Sequence, residues 1–131
     1  MRSLLFVPAD SDRKLAKATG AGADALILDL EDSVLPERKP VARGLAREFL
    51  GSAAPGVQMW VRVNDLASGE LLKDLIAILP AKPAGIVLPK IRGPEDIQTV
   101  SNYLEALEES NGLSAPSTSI MALATETPIA V

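Results

Sequence analysis

The sequence predicts an α/β domain built on a parallel sheet, and three observations carry that expectation. Short apolar runs alternate five times with amphipathic stretches, the pattern of parallel strands joined by right-handed helical crossovers. A strand with its helix takes roughly 28 residues, so eight such units would fill the ~250 residues of a (β/α)₈ barrel. Each run is apolar through its body and charged just beyond its end. On this reading residues 1–131 form about the N-terminal half of a single TIM-barrel-type domain, with five strands and four to five helices. A small open sheet of five strands would give the same local signals. No Gly-rich dinucleotide fingerprint follows the first run, which removes the commonest reason for an open sheet.

The first run is Leu4 to Val7, closed by Pro8. A helix is expected from Asp10 or Ser11, both good N-caps, to Gly20 or Gly22. The second run is Ala25 to Leu30, after which Pro36 and Pro40 open a helix carrying Val41, Leu45 and Phe49 at i, i+4, i+8 and ending at Gly51. Met59 to Val63 is the third run. Ser68 is the expected cap of the next helix, whose buried face is read as Leu71, Leu72, Leu75, Ile76 and Leu79, with Pro80 and Pro83 stopping it. Gly85 to Leu88 is the fourth run, followed by a helix from Pro94 with a stripe of Ile97, Val100, Leu104 and Leu107 and a C-terminal Gly112. The fifth run is Ser119 to Ala124, and Thr127-Pro128 reads as another helix start.

Composition narrows the chemistry. There is no cysteine and no histidine, so thiol nucleophiles, thiolate zinc sites, disulfides and Ser-His catalysis are excluded within this chain. Any metal must be held by oxygen, which favours Mg²⁺, with Mn²⁺ as the alternative. The net charge of −4 comes without a long basic run or basic–aromatic interleaving, so nucleic acid is not an expected partner. The apolar stretch at the start is too short for a signal segment or a membrane span, and the expectation is a cytoplasmic protein that does not engage membranes.

Ligands of parallel α/β folds bind at the carboxyl ends of the strands. Here those ends carry Asp10, then Asp29-Leu30-Glu31-Asp32, then Arg62-Val63-Asn64-Asp65, then Lys90, then Glu126. Strand alternation puts Asp29 and Glu31 on one face and Leu28 and Leu30 on the other; Arg62 and Asn64 share a face opposite Val61 and Val63. Unpaired charge under helices is costly, so the charged set should face the barrel mouth. Each residue also has a plain structural use. Asp32 with Ser33 could start a turn, Arg62 could be an ion-pair partner for Glu31, Lys90 could be a solvated loop lysine, and Glu126 could complement a helix dipole. Arg13 and Lys17, four apart on the first helix, are either a solvated basic face or a clamp for ligand phosphates.

The motifs resemble those of the citrate lyase beta-chain and malyl-CoA lyase family. The resemblance rests on Arg2-Ser3-Leu4-Leu5-Phe6-Val7-Pro8-Ala9-Asp10 and, more specifically, on Gly22-Ala23-Asp24-Ala25-Leu26-Ile27-Leu28-Asp29-Leu30-Glu31-Asp32-Ser33-Val34; Val61-Arg62-Val63-Asn64 and Val87-Leu88-Pro89-Lys90 follow at suitable spacing. It implies a (β/α)₈ barrel and a Mg²⁺-dependent retro-aldol or Claisen cleavage of a hydroxyacyl-CoA thioester such as citryl-CoA or malyl-CoA, in a homo-oligomer, trimer or hexamer. It further implies Glu126 as a direct metal ligand, Glu31 and Asp32 as acids near the metal, Arg62 as the arginine on the substrate's carboxylate or carbonyl, and Arg13 and Lys17 beside CoA. Two departures stand out. Glu126 sits in Thr125-Glu126-Thr127-Pro128, where the family has an alanine after the threonine, and the family's second metal-binding aspartate would lie beyond Val131. Half a barrel would also expose two sheet edges and an apolar lumen face, so a longer protein or a complementary chain is expected. Two further possibilities stay open: a hydroxy-acid aldolase on free substrates, and a non-catalytic barrel fragment or binding subunit.

Overall fold

Why the apolar runs become strands is plain in their burial: Ala25–Asp29 and Gly85–Leu88 are buried at every position, as parallel strands covered on both faces must be. The computed structural model describes residues 4–18, 24–52, 57–113 and 118–122. Five strands, β1 (Leu4–Pro8), β2 (Ala25–Asp29), β3 (Gln58–Arg62), β4 (Gly85–Leu88) and β5 (Ser119–Ala122), alternate with four helices, α1 (Asp12–Ala18), α2 (Lys39–Gly51), α3 (Leu71–Ile78) and α4 (Pro94–Ser110). Short 3₁₀ turns at Pro36–Arg38, Leu66–Ser68 and Leu79–Ala81 flank α2 and α3.

The strands pair in the order β1-β2-β3-β4-β5, every pair parallel. An open doubly wound sheet reverses its order at a switch point and carries helices on both faces. Neither happens among the described residues. The large core joins Val7, Leu26, Leu28, Val61 and Ile86 to helix residues such as Leu15, Ala46, Leu75 and Leu104. The other face carries Ala25, Ile27, Trp60 and Val87 with Met121, all strand residues. One face under helices and one bare of them, in unbroken order, is part of a (β/α) barrel.

The register aligns the strand ends. Asp29 lies beside Arg62 across the β2–β3 pair, and Pro8 beside Asp29 across β1–β2. Gly85 sets the spacing on the inner face. A Cβ there would lie 2.3 Å from the Trp60 ring and 2.6 Å from the Ser119 carbonyl oxygen, so only glycine admits both.

Several helix faces differ from those the sequence predicts. In α2 the buried residues are Ala42, Ala46 and Leu50, with Leu45 and Phe49 half-buried and Val41 exposed. The small alanines let the helix seat closely and turn the predicted stripe to the margin. In α3 the buried face is Leu71, Asp74, Leu75 and Ile78, while Leu72 and Ile76 are exposed. The misleading element is Asp74, which occupies a core position that an apolar residue would have marked. Ile97 is likewise exposed at the edge of the α4 stripe.

Cap assignments divide. Ser11 accepts the Lys14 amide at 3.2 Å, as an N-cap should. Ser68 does not cap α3; it lies in the preceding 3₁₀ turn, where its hydroxyl donates to the Asp65 carbonyl and accepts the Glu70 amide. Gly112 adopts the left-handed conformation expected after α4. The expected first-helix end at Gly20 or Gly22 and the last residues of the fifth run lie outside the described residues.

Candidate active site

Asp29 is the last residue of β2 and Arg62 the last of β3, and the register sets them side by side. Asp29 Oδ1 and Oδ2 accept from Arg62 Nε and Nη2 at 2.9 and 2.8 Å. This two-pronged contact fixes the plane of the guanidinium and leaves its Nη1 edge pointing away from Asp29. The Phe6 ring lies under the guanidinium, 5.1 Å from its centre, and adds a cation–π contact. Phe6, Val7, Pro8, Asp29, Ser33 and Arg62 line an open cleft of about 320 Å³ at the carboxyl ends of the first three strands.

Glu31 stands at the floor of the same cluster, with 4% of its side chain exposed. Its Oε2 meets Lys90 Nζ in a tight ion pair. Its Oε1 lies 3.6 Å from Arg62 Nε and has no hydrogen-bond partner, the one such buried side-chain atom among the described residues. Asp32 is exposed and completes the cluster through Lys90 at 3.5 Å. Lys90 itself takes a left-handed backbone conformation, φ 54°, and its side chain reaches Glu31 and Asp32 in the loop after β2.

The electrostatics separate these groups. Burial works to raise the Asp29 carboxyl, but the hydrogen bonds from Arg62, Ser33 and the Glu31 amide outweigh it and hold its pKa below the ordinary range. Burial pushes Glu31 upward, the nearby Asp32 charge adds to this, and Lys90 and Arg62 only partly oppose it. Arg62 is raised by its bonds to Asp29, and Lys90 by its contact with Glu31.

Arg62, Glu31 and Asp32 come together at the strand ends; Arg62 makes the ion pair with Glu31 that the sequence suggests, at 3.6 Å, but its hydrogen bonds go to Asp29. Asn64 does not join Arg62. Beyond the end of β3 its amide turns to the Leu30 carbonyl and to Asp74 of α3, at 3.1 and 2.7 Å. Arg13 and Lys17 are both exposed on α1. Lys17, with Lys14 rather than Arg13, lines a second cleft beside β1. Glu126 lies outside the described residues. Sequence reasoning left two groups without a role. Lys90 was visible as the charge ending the fourth run, but nothing local shows that it reaches Glu31, 59 positions earlier. The buried Arg43–Asp74–Asn64 network is invisible in any helical stripe, because its three members come from α2, α3 and the end of β3.

The donor set is all oxygen and nitrogen, with no group of three or more His, Cys, Asp or Glu arranged to hold a metal among the described residues. Glu31 Oε1 is nonetheless a buried carboxylate oxygen that accepts no hydrogen bond, and a hard cation or its water suits it.

Comparison with known proteins agrees with this geometry. The family model described as HpcH/HpaI aldolase/citrate lyase matches residues 2–131. A (3S)-malyl-CoA thioesterase of Cereibacter sphaeroides is 38% identical over 104 residues, 79% of this chain and 36% of that protein. The mitochondrial citramalyl-CoA lyase of Rattus norvegicus is 35% identical, over 77% of this chain and 31% of that protein. A citrate lyase beta subunit from M. tuberculosis, solved with oxaloacetate and magnesium, superposes with a TM-score of 0.68 at 29% identity, over 91% of this chain and 45% of that one. The chain thus spans about a third of the length of the curated relatives it matches. A parallel βα array with its charges gathered at the strand ends and a family match across nearly every residue lead to one conclusion: the chain belongs to the HpcH/HpaI aldolase/citrate lyase family.

Proposed function

We propose that the protein of which this chain forms part is a Mg²⁺-dependent carbon–carbon lyase that cleaves a hydroxyacyl-CoA thioester of the malyl-CoA or citryl-CoA type by retro-aldol or Claisen chemistry. The observation that carries the reading is the pairing of an arginine locked flat by Asp29 with a buried carboxylate oxygen, Glu31 Oε1, that accepts no hydrogen bond and has only a longer ion pair with that arginine.

Cleavage of such a thioester leaves an enolate and a keto acid, so negative charge develops at two places. Arg62 offers its free guanidinium edge to the acid's carboxylate or keto oxygen; because Asp29 already orients it, little reorganisation is needed as charge builds. Glu126 would hold a bound Mg²⁺, with Glu31 and Asp32 beside it through water. Bound Mg²⁺ would supply chelation of the acid and Lewis-acid stabilisation of charge. Phe6 walls the cleft and stacks against the arginine. Arg13 and Lys17 contact the CoA portion. Support for the metal and for the acid comes from the M. tuberculosis relative, solved with magnesium and oxaloacetate; support for the thioester comes from the names of the malyl-CoA and citramalyl-CoA relatives.

The test is a turnover assay on the full-length protein with malyl-CoA, citramalyl-CoA and citryl-CoA, reading keto or glyoxylic acid separately from free CoA, with Mg²⁺ and after chelation. Metal-dependent release of the acid with retention of the thioester is the expected outcome, and Glu126→Gln should abolish both metal affinity and turnover. Release of free CoA alone would replace lyase with thioesterase chemistry. The family description also includes aldolases; cleavage of free hydroxy acids, with thioesters inert, would favour that second reading.

A further inference from the structure

We propose that Lys39 is a positioning residue of this site: its ammonium clamps three backbone carbonyls of the Leu30–Val34 loop and so holds the Glu31 carboxylate where the lyase reading needs it. The inference rests on that reading for its catalytic consequence, but not for the clamp itself.

Lys39 is the first residue of α2. A cation is misplaced at that end of a helix, because the macrodipole there is positive. The side chain does not escape into solvent. It turns back, and Nζ donates to the carbonyl oxygens of Leu30, Glu31 and Val34 at 2.9, 3.1 and 3.2 Å. An ammonium has three N–H donors and no acceptor, so the three carbonyls saturate it.

Two of these carbonyls have one other donor each, Asn64 Nδ2 on Leu30 and the Val34 amide on Glu31, both at 3.1 Å; Lys39 is the donor that ties all three together, offsetting the repulsion of carbonyl dipoles that converge on one point. Asp29 performs the complementary task, accepting the amides of Glu31 and Ser33 at 2.9 and 3.1 Å. The loop is therefore held by an anion on its N–H side and a cation on its C=O side. Glu31 sits between them, one carboxylate oxygen on Lys90 and the other without a hydrogen bond, 3.6 Å from Arg62 Nε. The three carbonyls that Lys39 bonds belong to Leu30, Glu31 and Val34, none of which lines the cleft, so the proposed action runs through the loop and not on the substrate.

Lys39→Met keeps the aliphatic stem and removes the donors. In the full-length protein, exchange protection of the Glu31 and Ser33 amides should fall ~10-fold or more, while α3 and β4 amides change by less than ~2-fold. A second readout is the Glu31 carboxyl titration followed by NMR, with Lys90, Arg62 and Asp32 as the charges facing it. Loosening of the loop lets water reach the carboxyl and moves its midpoint down; simple loss of a neighbouring cation would move it up. In turnover, kcat should fall ~10-fold with KM for the thioester within ~2-fold, because the substrate-binding groups remain. Lys39→Gln, which keeps an N–H donor, should show the same changes at smaller size and covers the case in which the methionine variant does not fold. Unchanged protection at Glu31 and Ser33, or an upward titration shift, would overturn the proposal. If the parent protein cleaves no thioester, the lyase reading fails while exchange and titration still decide the clamp.

Discussion

Asp29 and Glu31 are two positions apart, yet their surroundings push their carboxyls in opposite directions. Asp29 receives two backbone amides and a guanidinium, which together overcome the cost of burial. Glu31 is buried with one oxygen unserved. The consequences for stability have opposite signs. Asp29, depressed in the fold, contributes stability above its ordinary value of 3.8 that is lost as pH falls through its lower folded value. Glu31, raised in the fold, does the reverse: stability declines as pH climbs from its ordinary value of 4.5 through the raised one. Glu31→Gln should therefore raise the melting temperature at pH 7, with the gain shrinking towards pH 4.5; thermal melts across that range check it, and a lower melting temperature at pH 7 would show that the Lys90 pair dominates. Arg62→Lys removes the fork that Asp29 holds and, with it, the planar contact proposed for the acid. It should lower kcat/KM about 10²-fold, the scale of losing one well-placed charge-stabilising donor, and steady-state kinetics on the full-length variant decide it.

Among the elements, α3 shows how a helix on the outer layer reaches the inner site. Asp74 is fully buried on its core face, and burial raises its pKa, but it is not left unpaired. Oδ1 accepts from Arg43 Nε at 2.8 Å, and Oδ2 accepts from both the Asn64 backbone amide and its side-chain amide at 2.7 Å. Asn64 passes the constraint to the Leu30 carbonyl, so α2, α3 and the loops after β2 and β3 are tied through one aspartate. Asp74→Ala leaves Arg43 and Asn64 without that partner and should cost about 3–5 kcal/mol in denaturant unfolding, the usual result of removing one side of a buried pair; a loss under ~1 kcal/mol would show that Glu70 alone satisfies Arg43. On the inner face, Gly85→Ala forces a methyl against the Trp60 ring and the β5 backbone. About 1–3 kcal/mol of destabilisation is expected, as for other overpacked core positions, with perturbed Trp60 fluorescence as the local sign.

At the scale of the whole molecule, the sheet is one stretch of a barrel wall with β1 and β5 at its edges. No helix among the described residues is long and apolar enough to cross a membrane. The clamp predicted for CoA lies on the outer layer, with Arg13 and Lys17 exposed on α1. Replacing both with alanine in the full-length protein should raise KM for the thioester ~10-fold and leave kcat within ~2-fold, since a remote phosphate contact serves ground and transition states alike. An unchanged KM would make the basic face one of ordinary solvation. Lys14, which lines the cleft beside β1 together with Lys17, supplies a comparison: if Lys14→Ala raises KM more than Arg13→Ala, the CoA contact follows the cleft rather than the four-residue spacing.

The sequence by itself determined the strand–helix alternation, the strand cores and the gathering of charge after each strand, because apolar period and turn residues are local properties that survive any packing. It placed Arg62, Glu31 and Asp32 at one end of the sheet, because strand ends are local features; strand alternation was less reliable, since it set Asn64 beside Arg62 where the structure turns it to Asp74. Only the tertiary structure decided that the order runs unreversed as in a barrel wall, since open sheet and barrel share every local signal. It alone decided which carboxylate holds Arg62, which lysine meets Glu31, and that Lys39 curls back onto the loop. Those choices depend on register and on side chains 9 to 59 positions apart meeting at one point, and a buried, paired charge such as Asp74 looks in sequence like any exposed one.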